Sequence, residues 1–322
     1  MTKNLFSLFT ICFFFAAACL AQGCNDIKQD TTVGNTSDSL NTICCSEKDT
    51  ICDTIDLKDV EYSTADSALV VKLLTEAETQ RKEEHPIIYF GKKFLGIPYV
   101  GHTLENGDKE HLIVNLHELD CTTFVETLTA LSLCDKSNKR TFADYCMALS
   151  KVRFRNGRMT DYTSRLHYFT WWAEDNESLG IVKEIVAETA PFTAVQTINI
   201  HYMSAHPTLY KHLKNNPEFV SKIKNHEDES NGKKYRYIPK GNLSWGKDSS
   251  LGIVEDGDIV AMLTDSDSLD TRHIGVAFWQ NGKLHLMHAS SLYKKVVMSR
   301  ETFYDYEKKQ SKHTGIRVFR LQ

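Results

Sequence analysis

Residues 273–288 read HIGVAFWQNGKLHLMH, and more than any other stretch they determine the architecture that the sequence predicts. Two runs of apolar and aromatic residues flank the dipeptide Asn281-Gly282. Asn-Gly between two such runs is the strongest short signal for a two-residue hairpin turn, because both turn positions need a positive φ. The stretch therefore predicts two antiparallel strands that pair with each other.

Other segments of the chain extend this hairpin into a fold. Apolar runs at 257–263, 296–298 and 316–319 predict further short strands, so the last third of the chain reads as an antiparallel meander. The earlier part shows helical spacing of apolar residues together with helix-capping residues. Helices are expected at 63–80, 86–94, from 121 onward, at 142–151 and around 171–172. Helices followed by a meander indicate the α+β class.

The composition indicates a soluble globular protein. The 322 residues include 38 Lys and Arg against 42 Asp and Glu, and the formal charge is −4. A chain so close to neutrality has no global basic field for a nucleic-acid backbone, so no nucleic-acid partner is expected. With 41% hydrophobic residues the chain is too apolar for a disordered protein, and 16 Gly and 6 Pro are too few for a fibrous one.

The first 23 residues have the organisation of a secretory signal peptide. Lys3 supplies the positive start, and an apolar run of about 14 residues follows, shorter than the ~20 residues of a membrane-spanning helix. Cleavage is possible before Cys19 or before Cys24. The second position follows Leu-Ala-Gln-Gly and resembles a bacterial lipoprotein box, so Cys24 is expected to become a lipid anchor. The alternative is a freely soluble exported protein. We expect a periplasmic lipoprotein anchored at the outer membrane.

Composition also divides the rest of the chain. Residues 24–62 are rich in Ser, Thr, Asp and Asn and lack apolar periodicity, which predicts a flexible tether. Residues 63–322 are the expected catalytic domain, and the polar stretch at about 207–245 is expected to be an insertion with two helical pieces. On the tether, Cys45 and Cys52 are a candidate disulfide pair, and Cys44 lies beside them. Cys134 and Cys146 are expected to be buried thiols.

Cys121 is the candidate nucleophile. It follows Asp120 at the predicted start of a helix, in the stretch LDCTTFVE at 119–126. A helix N-terminus exposes unpaired N–H groups and partial positive charge, which stabilise a thiolate. The alternative interpretation of a cysteine at this position is a small buried helix residue.

Two histidines are candidate partners of that nucleophile. His273 begins an apolar strand, in which a histidine must be hydrogen-bonded or used in chemistry; a satisfied strand-edge histidine is the alternative. Antiparallel pairing around the turn joins positions whose numbers sum to roughly 561 to 563. His273 and His288 fit that sum and are predicted neighbours. His285 should point to the opposite strand face, where we expect it at the surface.

The order of these motifs resembles a known family. The set resembles the NlpC-type papain-like peptidoglycan cysteine hydrolases, and within them it is similar to a branch long known as a domain of unknown function. The resemblance covers about residues 86–321. The motifs that carry it are GIPY at 96–99, LDCTTFVE at 119–126, SRLHY at 164–168, GDI at 257–259, HIGVA at 273–277 and HASS at 288–291.

This resemblance implies a fold, an activity and roles for individual residues. The implied fold is a papain-like core, with N-terminal helices packed on an antiparallel meander or half-barrel. The implied activity is N-acetylmuramoyl-L-alanine amidase, acting on muropeptides and preferring the 1,6-anhydro form. Cys121 would be the nucleophile, His273 the general base and acid, His288 the residue that orients it, and Tyr99 a tyrosine near the oxyanion. Neither a metal nor a cofactor is implied.

The residues after the cysteine depart from the usual pattern of the superfamily. Thr122-Thr123 stands where Ser-Gly is commoner, which disfavours cleavage between D-glutamate and the diamino acid. Cleavage at the junction of sugar and peptide instead requires a pocket for muramic acid. Trp171 and Trp172 are expected to pack in the core, with a platform for the sugar as the alternative. The candidate residues around the oxyanion and substrate are Tyr99, Asp120, Ser164, Arg165 and Tyr168.

The sequence leaves two alternatives to the amidase open and disfavours a third. A γ-D-glutamyl-diamino acid endopeptidase of the same superfamily remains possible, as does a lipoprotein that binds peptidoglycan without cleaving it. A zinc amidase is disfavoured because the sequence lacks His-Glu-x-x-His, and His285 and His288 are poorly spaced on a strand to ligate one zinc. Asp270, just before the His273 strand, is expected in a solvated loop, with a role in orienting Arg272 or contacting a ligand as the alternative.

Overall fold

The computed structural model describes residues 55–244 and 249–322. The predicted signal peptide, the anchor Cys24, the possible disulfide pair and most of the tether lie outside the described residues. Within them, none of the helices has the length and apolar character needed to cross a membrane. The described chain confirms the α+β class, with most of its helices ahead of an antiparallel sheet.

The described residues form eight α-helices and ten β-strands. The helices are α1 Thr64–Gln80, α2 Pro86–Lys93, α3 Cys121–Lys136, α4 Phe142–Arg153, α5 Phe169–Ser178, α6 Tyr202–Ala205, α7 Pro217–Ser230 and α8 Phe303–Lys309. The strands are β1 Val60–Tyr62, β2 Leu112–Val114, β3 Val182–Ile185, β4 Ala194–Thr197, β5 Lys234–Pro239, β6 Ile259–Thr264, β7 Thr271–Gln280, β8 Lys283–Ser290, β9 Lys295–Met298 and β10 His313–Leu321.

The main sheet has eight strands in the order β4-β5-β10-β6-β7-β8-β9, with β3 also paired to β10. Every pairing within it is antiparallel, and the sheet stays open rather than closing into a barrel. The predicted hairpin is β7–β8, and its turn residues Asn281 and Gly282 have φ values of 52° and 73°. Two successive positive φ values are what an Asn-Gly turn supplies at low cost.

Helices α2 and α3 pack against one face of this sheet, at β7. On β7 the even-numbered residues Ile274, Val276 and Phe278 join the core that includes the buried side of α3. The odd-numbered Ala277 faces a second core, which contains Phe303 of α8. This alternation follows from the two-residue period of a strand, and it fixes which side chains meet the helices.

Several elements differ from the sequence predictions. The predicted tether ended at residue 62, but β1 pairs in parallel with β2, because Val60 is buried against the domain. The predicted insertion contains β5, which joins the main sheet. Strands β3 and β4 and helix α8 are also absent from the elements predicted above. These elements are four to seven residues long and partly polar, so their apolar pattern is too short to recognise.

Candidate active site

Cys121 is the first residue of α3, and a capping box fixes the start of that helix. The Asp120 carboxylate accepts a hydrogen bond from the backbone N–H of Thr123 at 2.8 Å. In return, the Thr123 hydroxyl oxygen accepts one from the Asp120 N–H at 2.9 Å. An N-cap of this kind stabilises a helix by about 1 kcal/mol. Thr123, at the position where glycine is commoner, therefore caps the helix. The half-buried Cys121 thiol lies at the positive end of α3.

The segment containing Tyr99 runs beside the chain that leads into Cys121. The Leu119 N–H donates to the Pro98 carbonyl at 3.0 Å, and the Val100 N–H donates to the Leu119 carbonyl at 3.2 Å. On its other side, the Tyr99 N–H donates to the carbonyl of Lys294 at 2.9 Å. These backbone bonds hold Tyr99 next to the start of α3, on the wall of the cavity that Cys121 also lines.

His273 and His288 are in contact, as the hairpin predicted. His273 Nε2 lies 2.6 Å from His288 Nδ1, and the two rings meet edge to face with centroids 4.9 Å apart. Val276 pairs with Met287, so the two histidines are diagonal neighbours rather than direct partners. Gly275 lies between them, and a Cβ there would come within 3.0 Å of the His288 Cβ. The missing side chain leaves room for the contact.

Burial keeps both imidazoles neutral. His288 is only 2% exposed, and burial lowers its pKa to about 4. Burial also lowers the pKa of His273 well below its ordinary value, and repulsion from His288 and then from His313 adds to the effect. A neutral His288 can accept a hydrogen bond from His273 Nε2–H, which leaves Nδ1 as the basic nitrogen of His273.

The buried His288 should make the protein less stable in acid. Its pKa is about 4 in the folded protein and about 6.5 in an unfolded chain. Between these two pH values His288 is protonated in the unfolded state but not in the folded state, so the free energy of unfolding falls as the pH falls. Because of this group, we expect the unfolding free energy of the wild type to be about 2 kcal/mol lower at pH 5 than at pH 7. Urea unfolding at a series of pH values measures the effect.

The matched comparison for this prediction is His288→Gln, which has no group that titrates in that range. Its unfolding free energy should depend less steeply on pH than that of the wild type between pH 7 and pH 5. Equal slopes for the two proteins would show that His288 is not held neutral by the fold. Ser290→Ala serves as a control, since it alters a buried polar side chain on the same strand without removing a titrating group.

Cys121 and His273 line one cavity of about 260 Å³. The 99–105 loop and the start of α3 form one part of its wall. Residues 162–172, together with Met203 and Tyr210, form another, and residues 269–274 complete it. His288 stands behind His273 and does not line the cavity. The arrangement places a thiol and an imidazole on the wall of the same cavity, with a second imidazole in contact with the first.

Two of the predicted substrate-binding residues line the cavity but use their polar groups within the protein. Arg165 binds both carboxylate oxygens of Glu110 at 2.8 and 2.7 Å and one oxygen of Glu105 at 2.8 Å. The Tyr168 hydroxyl donates to Glu227 at 2.7 Å. Both residues therefore shape the wall. Arg165 in particular ties the 99–105 loop to the 162–168 segment.

Ser164 lies outside this cavity. Its hydroxyl donates to the Asp161 carbonyl at 2.6 Å and accepts from the Thr160 N–H at 3.1 Å, which closes a turn. It faces a separate shallow cavity lined by Arg155, Arg158 and other polar residues. The geometry gives Ser164 no contact with the space beside Cys121, because the turn points its side chain away.

The two tryptophans have different surroundings, although both are buried. Trp171 donates from Nε1 to the Ser230 hydroxyl at 2.9 Å, which is the core packing expected from the sequence. Trp172 stacks on Phe169 with ring centroids 5.4 Å apart and also lines the cavity. Only Trp172 is therefore placed to meet a ligand.

Two further expectations are wrong. His285 is not at the surface: it is 7% exposed, stacks on Phe278 and lies 3.1 Å from the Ser299 carbonyl. His285 is the direct cross-strand partner of Phe278, so it lies on the face of the hairpin that packs against the helical core, and that core covers it. Asp270 is not in a solvated loop either. It is buried, and its carboxylate accepts a 2.5 Å hydrogen bond from the Thr170 N–H at the start of α5.

The cavity also has polar groups that sequence reasoning missed. Within the described part of the chain, four buried polar atoms on its wall have no hydrogen-bond partner. Buried polar groups are nearly always satisfied, so a bound ligand is one explanation of such a set. No local sequence signal marks them, since the long-range Arg165 contacts position the loop. The atoms are Thr103 Oγ1, Glu105 Oε2, the Tyr162 hydroxyl and Trp172 Nε1.

Comparison with known proteins identifies the family. Residues 89–316 match the AmiA-like family, described as N-acetylmuramoyl-L-alanine amidase-like. The chain belongs to this amidase-like family. This match confirms the amidase-like branch of the resemblance found in the sequence. The capping box, the histidine pair and the cavity lie inside the matched residues. No curated protein is similar enough to the chain to count as a match.

Solved structures agree with membership of the amidase-like family. An N-acetylmuramoyl-L-alanine amidase from Bacteroides uniformis is 40% identical, with a TM-score of 0.69, covering 74% of this chain and 97% of that one. A Bacteroides fragilis protein described as a candidate xylanase is also 40% identical, with a TM-score of 0.67 and coverage of 72% and 99%. A Legionella pneumophila protein of the DUF1460 family is 20% identical with a TM-score of 0.58, and shares the fold.

Proposed function

We propose that this protein is a cell-wall N-acetylmuramoyl-L-alanine amidase of the NlpC-type papain-like superfamily. The observation that carries the proposal is the 2.6 Å contact between His273 and His288, made behind the cavity that Cys121 and His273 share. Nucleophile, base and orienting group are the parts of a cysteine hydrolase. Membership of the amidase-like family and the Bacteroides uniformis amidase support the choice of bond.

The proposed reaction has two halves. His273 Nδ1 takes the proton of the Cys121 thiol, and the sulfur attacks the carbonyl carbon of the muramoyl lactyl group. The N–H groups at the first turn of α3 stabilise the negative charge that develops on the carbonyl oxygen. His273 then gives its proton to the nitrogen of L-alanine, and the carbon–nitrogen bond breaks. Water, deprotonated by the same histidine, hydrolyses the thioester and restores the thiol.

His288 acts on this reaction through His273. Its Nδ1 accepts the Nε2–H of His273, which holds the ring in one orientation and selects the tautomer with a basic Nδ1. When His273 becomes protonated, the same hydrogen bond gains strength because its donor is then charged. A neutral partner at this position is favoured by the burial that lowers the pKa of His288 to about 4.

The cavity favours amide cleavage over the hydrolysis of a xylan chain. Glycoside hydrolysis needs two carboxyl groups free to face one bond. Each acidic residue on this wall binds a protein group: Asp120 caps α3, Glu105 binds Arg165 through one of its two oxygens, Glu126 pairs with Arg153 at 2.8 Å, and Asp270 accepts from the Thr170 N–H. A thiol and an imidazole on the same cavity instead support acyl transfer.

The preferred substrate in this proposal is a 1,6-anhydro-muropeptide released from peptidoglycan. Unpartnered groups such as Trp172 Nε1 and the Tyr162 hydroxyl suit the hydroxyl and acetamido groups of a sugar. We further propose that the protein is an exported periplasmic lipoprotein, held at the outer membrane through Cys24. The organisation of the first 24 residues supports this second proposal.

Mass spectrometry of digested anhydro-muropeptides tests the scissile bond. The amidase should release the free anhydro sugar unit and an intact stem peptide that begins with L-alanine. An endopeptidase of the same superfamily would leave L-alanyl-D-glutamate on the sugar. A peptidoglycan-binding protein without activity would release nothing. Digestion in the presence of EDTA should give the same products, because the proposed chemistry uses a thiol and an imidazole.

A further inference from the structure

Arg272 occupies a special position on the cavity wall. Strand β6 pairs Met262 with His273 but Leu263 with Thr271, so Arg272 is the extra residue of a β-bulge. Bulges redirect side chains and are common beside active sites. Here the bulge brings Thr271, Arg272 and His273 all onto the wall of the cavity, where a regular strand would turn the middle residue away.

The charge of Arg272 is not neutralised by the protein. Each acidic side chain on the cavity wall has a partner: Glu105 binds Arg165, Glu126 binds Arg153, and Asp120 and Asp270 accept from backbone N–H groups. Within residues 55–244 and 249–322, Arg272 is half-buried and has neither a hydrogen bond nor an ion pair. A half-buried guanidinium without a partner suits an anionic ligand, for which its planar fork is a bidentate donor.

We propose that Arg272 is a specificity residue that binds the α-carboxylate of D-glutamate, the second residue of the stem peptide. The inference rests on the proposed amidase function. Because His273 protonates the nitrogen of L-alanine, the stem peptide leaves the reaction centre on the side of His273. Arg272 is one residue from His273, with the two Cα atoms about 3.8 Å apart. D-glutamate is likewise one residue from L-alanine.

The chemistry of the stem peptide singles out this carboxylate. D-glutamate is linked through its γ-carboxyl group, so its α-carboxylate is a free anion beside the peptide backbone. The next anionic groups belong to residues farther along the stem. A charged hydrogen bond of this kind changes affinity by about 10- to 100-fold. Arg272 would thus distinguish stems with D-glutamate from stems in which that carboxylate is amidated to D-isoglutamine.

The test compares two muramoyl tripeptides that differ only at this group, one with D-glutamate and one with D-isoglutamine. Their Kd values are measured by calorimetry on Cys121→Ala, which cannot turn them over, with and without the added change Arg272→Gln. We expect Cys121→Ala to bind the D-glutamate peptide about 10- to 100-fold more tightly than the D-isoglutamine peptide. The added Arg272→Gln change should bring that ratio to about one, and Arg272→Lys should keep part of it.

The matched control is Arg300→Gln in the Cys121→Ala background. Arg300 is an exposed arginine outside the cavity, so its replacement makes the same change in net charge and should keep the ratio of the unmodified site. A general structural defect would weaken the binding of both peptides equally, and only loss of a direct contact moves the ratio.

Either of two results would overturn the inference: equal affinity of Cys121→Ala for both peptides, or an unchanged ratio after Arg272→Gln. These outcomes are separate from a failure of the amidase proposal. That failure would appear as uncleaved or differently cleaved muropeptide with the wild-type protein, whereas the binding ratio is measured without turnover. In the wild-type enzyme, the same preference should appear in KM more than in kcat, because the contact is distant from the breaking bond.

Discussion

Replacing Cys121 with alanine is expected to lower kcat/KM for muropeptide cleavage by at least about 10⁴-fold. Without the sulfur no thioester forms, and water must attack the amide directly with only the binding groups of the cavity to assist. The α3 capping box does not involve the thiol, so the variant should fold normally. Chromatographic quantification of released stem peptide measures the loss, and circular dichroism checks the fold.

Two other cysteines provide the control for this prediction. Cys134 and Cys146 are fully buried, and burial raises the pKa of each thiol to about 12. Buried thiols of high pKa react slowly. Iodoacetamide at neutral pH should therefore abolish activity with a label on the peptide containing Cys121, while Cys134 and Cys146 stay unmodified. Activity that survives in Cys121→Ala would show that another residue is the nucleophile.

The parts of the site that the sequence predicted are those with local signals. The Asn281-Gly282 turn fixes the hairpin register to within two residues, which is enough to bring His273 and His288 onto one face. The position of Cys121 after Asp120 marks a helix start because an aspartate is a preferred N-cap. Each of these signals spans fewer than about twenty residues, a range over which backbone geometry alone determines the neighbours.

The parts that the sequence missed depend on distant contacts. Arg165 looked like a ligand for substrate, but its side chain is occupied by Glu110 and Glu105, which lie 55 and 60 residues away. Asp270, expected in a loop, likewise binds the Thr170 N–H, 100 residues away in the sequence. No local pattern reports such pairings, because they follow from the packing of separate elements. The same holds for the bulge at Arg272, which is visible only once β6 is paired.

His273→Ala is expected to lower kcat/KM by about 10³- to 10⁴-fold, the range typical for loss of a general acid and base. The leaving nitrogen of L-alanine is a poor leaving group until it is protonated, and in the proposed mechanism His273, on the wall of the cavity that Cys121 also lines, supplies that proton. The low pKa of His273 keeps that nitrogen unprotonated in mildly acidic solution. Steady-state kinetics on anhydro-muropeptides measures the loss.

The sharper form of this prediction is the double variant Cys121→Ala with His273→Ala. Residues that act as one unit have effects that do not add, so the double variant should be about as slow as Cys121→Ala alone. If the loss of kcat/KM in the double variant were the product of the two single losses, the two residues would act independently, which would contradict the proposed mechanism. His285→Gln is the matched control: it changes a buried histidine of the same hairpin on the opposite face. Activity per folded molecule should therefore be retained, even if the melting temperature falls.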